Sequence, residues 1–209
     1  MTASLLTAFS IYALVALLTP GPNNIMLLTS GLHFGMSRTV PHMAGVVGGF
    51  MLMVILVGLG LGAVFTAYPQ SYLWMQYAAA AYLLYLAWKI ATSGPMTVGQ
   101  EDEDTTRKPM SFLSAAMFQW VNPKAWIIVA GAVSLYAPHE HYLLNVLIIA
   151  FIFGVVGVPS VAVWAAFGSM FRKVFSHERY MKPFNWCMAL MLVLSIYPTL
   201  KDIVGKVIG

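Results

Sequence analysis

A glycine between two prolines interrupts a long apolar segment near the start of this chain. The stretch reads Thr19-Pro20-Gly21-Pro22-Asn23-Asn24, and mostly apolar residues run from Ala3 to Leu18 before it and from Ile25 to Phe34 after it. Proline lacks the backbone N–H donor and clashes with the preceding helical turn, so the stretch predicts an open break in a helix. Backbone groups freed in hydrocarbon need protein, water or a ligand as partners. Two interpretations stay open here: a substrate site in a discontinuous membrane helix, or a kink between two helices.

The composition indicates that most of the chain lies in a membrane. Of its 209 residues, 60% are hydrophobic and 9% are charged, whereas a soluble domain carries about 25% charged residues. We attribute the net charge of +4 to membrane topology rather than to nucleic-acid binding. The single cysteine, Cys187, excludes an internal disulfide and a cysteine-rich metal site. We expect no cleaved signal peptide, because the first basic residue is Arg38.

The apolar runs predict an all-α integral membrane protein with six transmembrane helices. The predicted helices are helix 1 from Ala3 through the break to Gly35, helix 2 from Pro41 to Phe65, helix 3 from Ser71 to Ile90, helix 4 from Ser111 to Tyr136, helix 5 from Tyr142 to Phe171 and helix 6 from Phe184 to Ile203. A polar linker from Ala91 to Pro109, with the acidic run Glu101-Asp102-Glu103-Asp104, separates helices 3 and 4.

The chain also resembles two halves, residues 1–92 and 111–209, joined by the linker at 93–110. Helix 4 is interrupted at Asn122-Pro123-Lys124 much as helix 1 is interrupted at Pro20-Gly21-Pro22-Asn23. In addition, Gly45-Val46-Val47-Gly48 of helix 2 matches Gly154-Val155-Val156-Gly157 of helix 5. Three spans in each half require the second half to be inverted in the membrane. The paired breaks therefore predict a binding site near the bilayer midplane, between two inverted repeats.

Basic residues predict the orientation of these helices. If helix 1 crosses once, the loops between helices 1 and 2, 3 and 4, and 5 and 6 hold eight of the eleven Lys and Arg residues: Arg38, Lys89, Arg107, Lys108, Arg172, Lys173, Arg179 and Lys182. The opposite side holds only Lys201 and Lys206. The positive-inside rule places the three basic loops in the cytoplasm and both termini outside. A re-entrant first segment would change the side of the N-terminus alone.

Lys124 is the one formally charged side chain deep within a predicted span, and an intramembrane charge is costly enough to be a functional candidate. Its ammonium can hold a substrate carboxylate or change protonation during transport. The alternative is that it caps the carbonyls of the broken helix or extends to an interface. Gln119 and Asn122 add polar groups beside it. All seven acidic residues lie outside the spans or at their ends, which favours a neutral solute over a cationic one.

Histidines are the other groups that titrate near neutral pH. His33 and His42 lie near the loop after helix 1, and we expect them at the membrane interface. His139 and His141 flank Glu140 in a predicted outer loop, but a solvated turn explains these residues better than a metal site does. We expect neither a metal ion nor a cofactor.

The two breaks together resemble the LysE/RhtB family of amino-acid exporters. The resemblance rests on Thr19-Pro20-Gly21-Pro22-Asn23-Asn24, on Asn122-Pro123-Lys124 and on the stretch from Ala80 to Lys89 in helix 3, and it extends over nearly the whole chain. The N-terminal half is most similar to the branch that exports cysteine and O-acetylserine. The resemblance implies efflux of amino acids or close derivatives across a bacterial inner membrane, driven by the proton motive force.

The leading hypothesis is a secondary transporter that exports a small neutral amino acid or derivative of the cysteine/O-acetylserine, threonine/homoserine or leucine type. The candidate substrate-binding residues are Thr19, Pro20, Gly21, Pro22, Asn23, Asn24, Gln119, Asn122, Pro123 and Lys124, with the two halves rocking about them. Protons and membrane lipid are the other expected partners, and the glycine-rich faces are compatible with a homodimer. Two alternatives stay open: an exporter of another solute or a metal ion, and a non-transport membrane subunit. A membrane enzyme is disfavoured, because no span offers a nucleophile paired with a base.

Overall fold

The computed structural model describes residues 1–92, 108–171 and 178–208, and every regular element in these ranges is helical. The elements are α1 (Ala3–Leu18), α2 (Pro22–Leu56), a π-helical turn (Val57–Leu61), α3 (Gly62–Ala67), α4 (Pro69–Ala91), α5 (Phe112–Val121), α6 (Pro123–Tyr136), α7 (Tyr142–Met170), α8 (Glu178–Ser195) and α9 (Tyr197–Ile208). The prediction of an all-α fold is confirmed for these residues. Most of the predicted polar linker lies outside them.

The helix before the first basic loop is interrupted at Gly35, as predicted, but the next helix begins earlier than we predicted. We expected helix 1 to stop near Gly35 and helix 2 to begin at Pro41, but α2 continues through residues 36–40. The chain changes direction at Gly35 alone, whose φ of 76° and ψ of 172° are not helical. Glycine adopts such a positive φ without a steric penalty, so a single residue replaces the predicted loop.

Two other predicted helices also differ from the structure. A π-helical turn with Gly60 at a φ of 109° interrupts the predicted helix 2 before α3. The predicted helix 6 begins earlier than expected and is divided at Ile196 into α8 and α9. The predicted helix 4 is divided at Asn122, as expected from its Asn-Pro pair. Helices 3 and 5 agree with α4 and α7 to within a turn at each end.

Two described helical segments are long and apolar enough to cross a membrane. They are Pro22–Leu61, with a mean hydropathy of 2.4, and Tyr142–Met170, with a mean hydropathy of 2.7. The apolar helices α1, α5 and α6 are shorter, because the two breaks divide them. Each alone is too short for a hydrocarbon core about 30 Å thick. The described helices therefore show two such spans, and the count of six stays a prediction.

The outer surface of the described bundle is apolar. Large hydrophobic side chains are exposed on most helices, among them Ile11 on α1, Ile127 on α6, Phe151 on α7 and Trp186 on α8. A water-soluble monomer seldom exposes apolar area on this scale, because contiguous patches of that size associate or enter lipid. The surface is therefore suited to contact with lipid acyl chains.

Glycines bring helix backbones into direct contact at the centre of the bundle, where α2 packs along α7. A Cβ atom built on Gly31 of α2 would lie 2.1 Å from the Ala165 carbonyl oxygen of α7. A Cβ on Gly168 of α7 would lie 2.0 Å from the Leu28 carbonyl oxygen. Farther along α2, a Cβ on Gly45 would lie 2.3 Å from the Phe112 carbonyl oxygen. These glycines therefore allow close packing between the helices, as small residues commonly do in membrane proteins.

Candidate functional site

The two helix breaks face each other, and the segments that carry them run antiparallel. The Tyr12 hydroxyl donates to the Ile128 carbonyl oxygen at 3.0 Å, upstream of the first break and downstream of the second. The relation is reversed on the other side of the breaks, where the Asn23 amide donates to the Gln119 side-chain oxygen at 2.8 Å. The residues Thr19 to Asn24 and Gln119 to Lys124 are thus brought together as the sequence predicts.

Buried polar side chains hold the carbonyls at the end of α1. The Asn24 amide donates to the Leu17 and Thr19 carbonyl oxygens, at 2.8 and 2.9 Å. The Ser160 hydroxyl of α7 donates to the same Leu17 oxygen at 3.0 Å. Both side chains are buried, so they replace the water that these carbonyls would otherwise need. We had assigned Asn24 to the substrate, and its amide is here engaged with the backbone. We had not predicted a role for Ser160, which follows Pro159 within the apolar helix α7.

The Lys124 side chain crosses the gap between the two breaks. Its Nζ donates to the Thr19 carbonyl oxygen at 2.6 Å and to the Pro20 carbonyl oxygen at 3.2 Å. These carbonyls form the negative end of α1, where a cation is stabilised by the helix dipole. Gly21 leaves room for this path, because a Cβ atom there would lie only 2.7 Å from Lys124 Cδ. The cap that we had considered as an alternative for Lys124 is therefore present in this structure.

The N-termini of α2 and α6 are built differently. Asn122 is buried, and its side-chain oxygen accepts from the Lys124 backbone N–H at 3.1 Å, so it caps α6 directly before Pro123. The N-cap residue of α2 is Gly21, which has no side chain to provide a cap. The first backbone amides of α2 have no partner within the helix and carry a partial positive charge. The first break therefore offers a negative helix end and a positive helix end beside each other.

A reciprocal amide pair joins the two broken segments. Besides accepting from Asn23, the Gln119 side chain donates to the Asn23 side-chain oxygen at 3.2 Å and to the Ala115 carbonyl oxygen at 2.8 Å. Gln119 is completely buried, whereas Asn23 is half-buried and borders the space between the breaks. Gln119 thus positions Asn23 rather than lining that space itself.

We predict that Gln119→Leu lowers the free energy of unfolding by about 2 kcal/mol, because it leaves the Asn23 amide without its partner. The double variant Asn23→Leu/Gln119→Leu should be more stable than the sum of the two single variants predicts, by about 1 kcal/mol. Thermal or denaturant unfolding of the purified proteins in detergent measures both quantities. Strictly additive single effects would contradict the coupling.

Little empty space remains at the breaks. One cavity of about 30 Å³ borders Gly21, Asn23, Asn122 and Lys124, and a second of about 30 Å³ borders Asn23, Asn24 and Ser160. Each has room for a water molecule or two, but not for an amino acid. The breaks are therefore closed onto each other in this structure, with Lys124 occupying the space between them.

The described residues show no arrangement suited to a metal ion. Within residues 1–92, 108–171 and 178–208, no three His, Cys, Asp or Glu side chains group together as metal ligands. His139 and Glu140 are exposed, and His141 is the N-cap residue of α7, with a left-handed backbone (φ 54°). Their geometry is that of a helix start after a turn.

Known proteins are similar to this chain over nearly all of its length. The family model described as LysE type translocator matches residues 14–196. The cysteine/O-acetylserine efflux protein of Escherichia coli is 31% identical over 194 residues, which is 92% of this chain and 96% of that protein. The protein of the same description from Salmonella choleraesuis is 33% identical over 197 residues, with the same shares. No solved structure shows a significant match.

Proposed function

The chain belongs to the LysE type translocator family and is a membrane transporter rather than an enzyme, and from that premise we propose that it exports a small neutral amino acid or a close derivative. Candidates are substrates of the cysteine/O-acetylserine, threonine/homoserine or leucine type. The proton motive force would drive their export across a bacterial inner membrane. The observation that carries the proposal is the Lys124 ammonium on the carbonyls of α1, next to the uncapped N-terminus of α2.

A zwitterionic substrate can replace the partners of Lys124 and of the α1 carbonyls. Its carboxylate offers Lys124 a charge-assisted hydrogen bond, which is stronger than a bond to a neutral carbonyl. The first amides of α2 give the same carboxylate a second anion-binding element. When Lys124 moves to the carboxylate, the Thr19 and Pro20 carbonyls become free to accept from the substrate ammonium. Substrate binding therefore replaces one set of charge interactions with an equivalent one, and no group is left without a partner.

The site favours a substrate with no net charge. No acidic side chain is among the residues that border the two cavities at the breaks. A cationic substrate side chain would meet Lys124 without a compensating carboxylate. Asn23, held by Gln119, is placed to bind a small polar side chain.

The antiparallel arrangement of the broken segments supports two inverted three-helix repeats, residues 1–92 and 111–209. In such transporters the site lies at the midplane, and rocking of the repeats exposes it to each side in turn. The basic loops would lie in the cytoplasm and the C-terminus outside. The closed breaks fit an intermediate in this cycle.

Efflux from proteoliposomes preloaded with labelled amino acids tests the proposal. We expect a proton gradient to accelerate loss of one or more of cysteine, O-acetylserine, threonine, homoserine and leucine, and lysine to be retained. Liposomes without protein control for leakage. If folded protein releases none of the amino acids, the proposal is wrong, and efflux of another solute or of a metal ion should be tested next.

A further inference from the structure

A larger cavity lies away from the breaks, at the end of the molecule that carries Lys89 and Lys108. We call it the basic-end cavity; it has a volume of about 460 Å³ and is enclosed by α2, the last turns of α4 and residues 108–110. That volume lies within the range of about 300–1,000 Å³ that is typical of small-molecule sites. The cavity is thus large enough for an amino acid, which the space at the breaks is not.

Two buried polar atoms on the wall of the basic-end cavity lack a hydrogen-bond partner. They are Nδ1 of His42, a residue only 2% exposed, and Oγ1 of Thr29. That His42 lies at the membrane interface stays a prediction, and the side chain is buried by protein atoms there. A buried polar atom without a partner is costly, so such atoms usually bind water or a ligand. Both residues line the same cavity.

The charges around the cavity suit a solute with a carboxylate. Lys89 and Lys108 are exposed residues of its wall, and His33 lines it together with His42. Among the described residues that line it, none is acidic. A concave surface with charges of one sign concentrates solutes of the opposite sign. The cavity therefore attracts the carboxylate end of an amino acid.

One face of α2 leads from the basic-end cavity to the breaks. Asn23, Met26, Ser30 and His33 recur at helical spacing and lie on one side of the helix. Asn23 borders both small cavities at the breaks, whereas Met26, Ser30 and His33 line the basic-end cavity. Met26 is buried and packs in a cluster with Phe118. Along this face, Met26 is the residue of the basic-end cavity that comes next after Asn23.

We propose that the basic-end cavity is a loading site, which binds the amino acid before it passes Met26 and reaches Lys124. The Thr29 hydroxyl and the His42 imidazole hold the substrate by hydrogen bonds, and the lysines draw its carboxylate in. This proposal rests on the proposed function, and it adds a second binding site to the one at the breaks. Because the two sites are separate, the loading site should bind substrate even when Lys124 is absent.

Cysteine labelling can test the loading site, because the chain has a single cysteine, Cys187, that one substitution removes. The substitution Cys187→Ser gives a parent protein without cysteine, and Thr29→Cys is introduced into it. The purified double variant is then labelled in detergent with a small anionic methanethiosulfonate reagent. O-acetylserine is the probe, because free cysteine would consume the reagent. At about ten times its dissociation constant, it should slow labelling of Thr29→Cys about tenfold. The same protection is expected when Lys124→Met is added. His42→Leu should raise the concentration needed for half-protection about tenfold, because it removes a hydrogen bond to a charged ligand.

Two controls separate this proposal from the proposed function. His139→Cys, an exposed position far along the chain from the cavity, should be labelled at the same rate with and without O-acetylserine. Efflux by the Cys187→Ser parent is measured in parallel, so that a failure of the proposed function appears there.

Absence of protection in a parent that transports, or protection that requires Lys124, would overturn the loading site. A Thr29→Cys thiol that reacts only after denaturation would overturn it too. If Thr29→Cys does not fold, Ser30→Cys on the same wall replaces it.

Discussion

Lys124→Met is expected to abolish efflux, lowering the initial rate by roughly two orders of magnitude, while the protein still folds. Methionine retains the length and apolar stem of lysine but cannot donate a hydrogen bond. The substrate carboxylate then loses its charged partner, and charge-assisted hydrogen bonds worth about 3 kcal/mol correspond to a factor of about 100. The Thr19 and Pro20 carbonyls also lose the ammonium that holds them in the closed structure. Proteoliposome efflux, normalised to the amount of folded protein, measures the effect.

A matched control distinguishes this effect from a general loss of positive charge. Lys201→Met makes the same exchange at an exposed position on α9, and it should transport at the rate of the natural protein. Size-exclusion profiles and thermal unfolding show whether each variant is folded. Efflux by folded Lys124→Met at the natural rate would remove Lys124 from the mechanism. The carbonyl cap would then be its whole role.

The elements that the sequence predicts well are those set by local chemistry. Two prolines flanking a glycine, or an Asn-Pro pair, favour a local opening of a helix, so both breaks and the non-helical Asn122 could be predicted from the chain alone. Isolated prolines such as Pro41 and Pro159 lie inside helices instead. The exceptional position of Lys124 follows from the same argument, because no other charge lies deep in a predicted span. Gly35 shows the limit of this reasoning. It indicates where one helix ends, but the sequence does not show that the next helix begins at the following residue.

The elements that could not be predicted depend on long-range contacts. That Asn24 donates to Leu17 and Thr19, rather than facing a substrate, is decided by where α1 ends relative to α2. Ser160 reaches Leu17 across 143 positions of sequence, and no local pattern links the two. The basic-end cavity likewise needs α4 and residues 108–110 against α2, a contact between distant segments. Composition and spacing identified most of the polar residues at the breaks but not Ser160, and only packing assigns their partners.

Gly168→Ala is expected to lower the stability of the protein by about 3 kcal/mol or more, since it places a methyl group against the backbone of the neighbouring helix. The added Cβ would lie 2.0 Å from the Leu28 carbonyl oxygen and 2.9 Å from the Leu32 nitrogen. Backbone atoms cannot rotate away as a flexible side chain can, so α7 and α2 must separate. Gly31→Ala tests the other side of the same contact and should have a similar effect. Thermal unfolding in detergent measures both changes.

Gly205→Ala is the matched control, because nothing lies within 4 Å of the Cβ that it would add in α9. Alanine is a better helix former than glycine, so this variant should be as stable as the natural protein or more stable by up to about 1 kcal/mol. If Gly168→Ala is as stable to thermal unfolding as the natural protein, then α2 and α7 do not pack backbone to backbone. If the contact is real, its loss also affects transport. The N-terminal part of α2, which contacts α7, begins with Asn23 and Asn24. A displacement of this part would break the hydrogen bond between Asn23 and Gln119 and the one between Asn24 and the Thr19 carbonyl oxygen. A glycine that touches no substrate would thus control the geometry of the site.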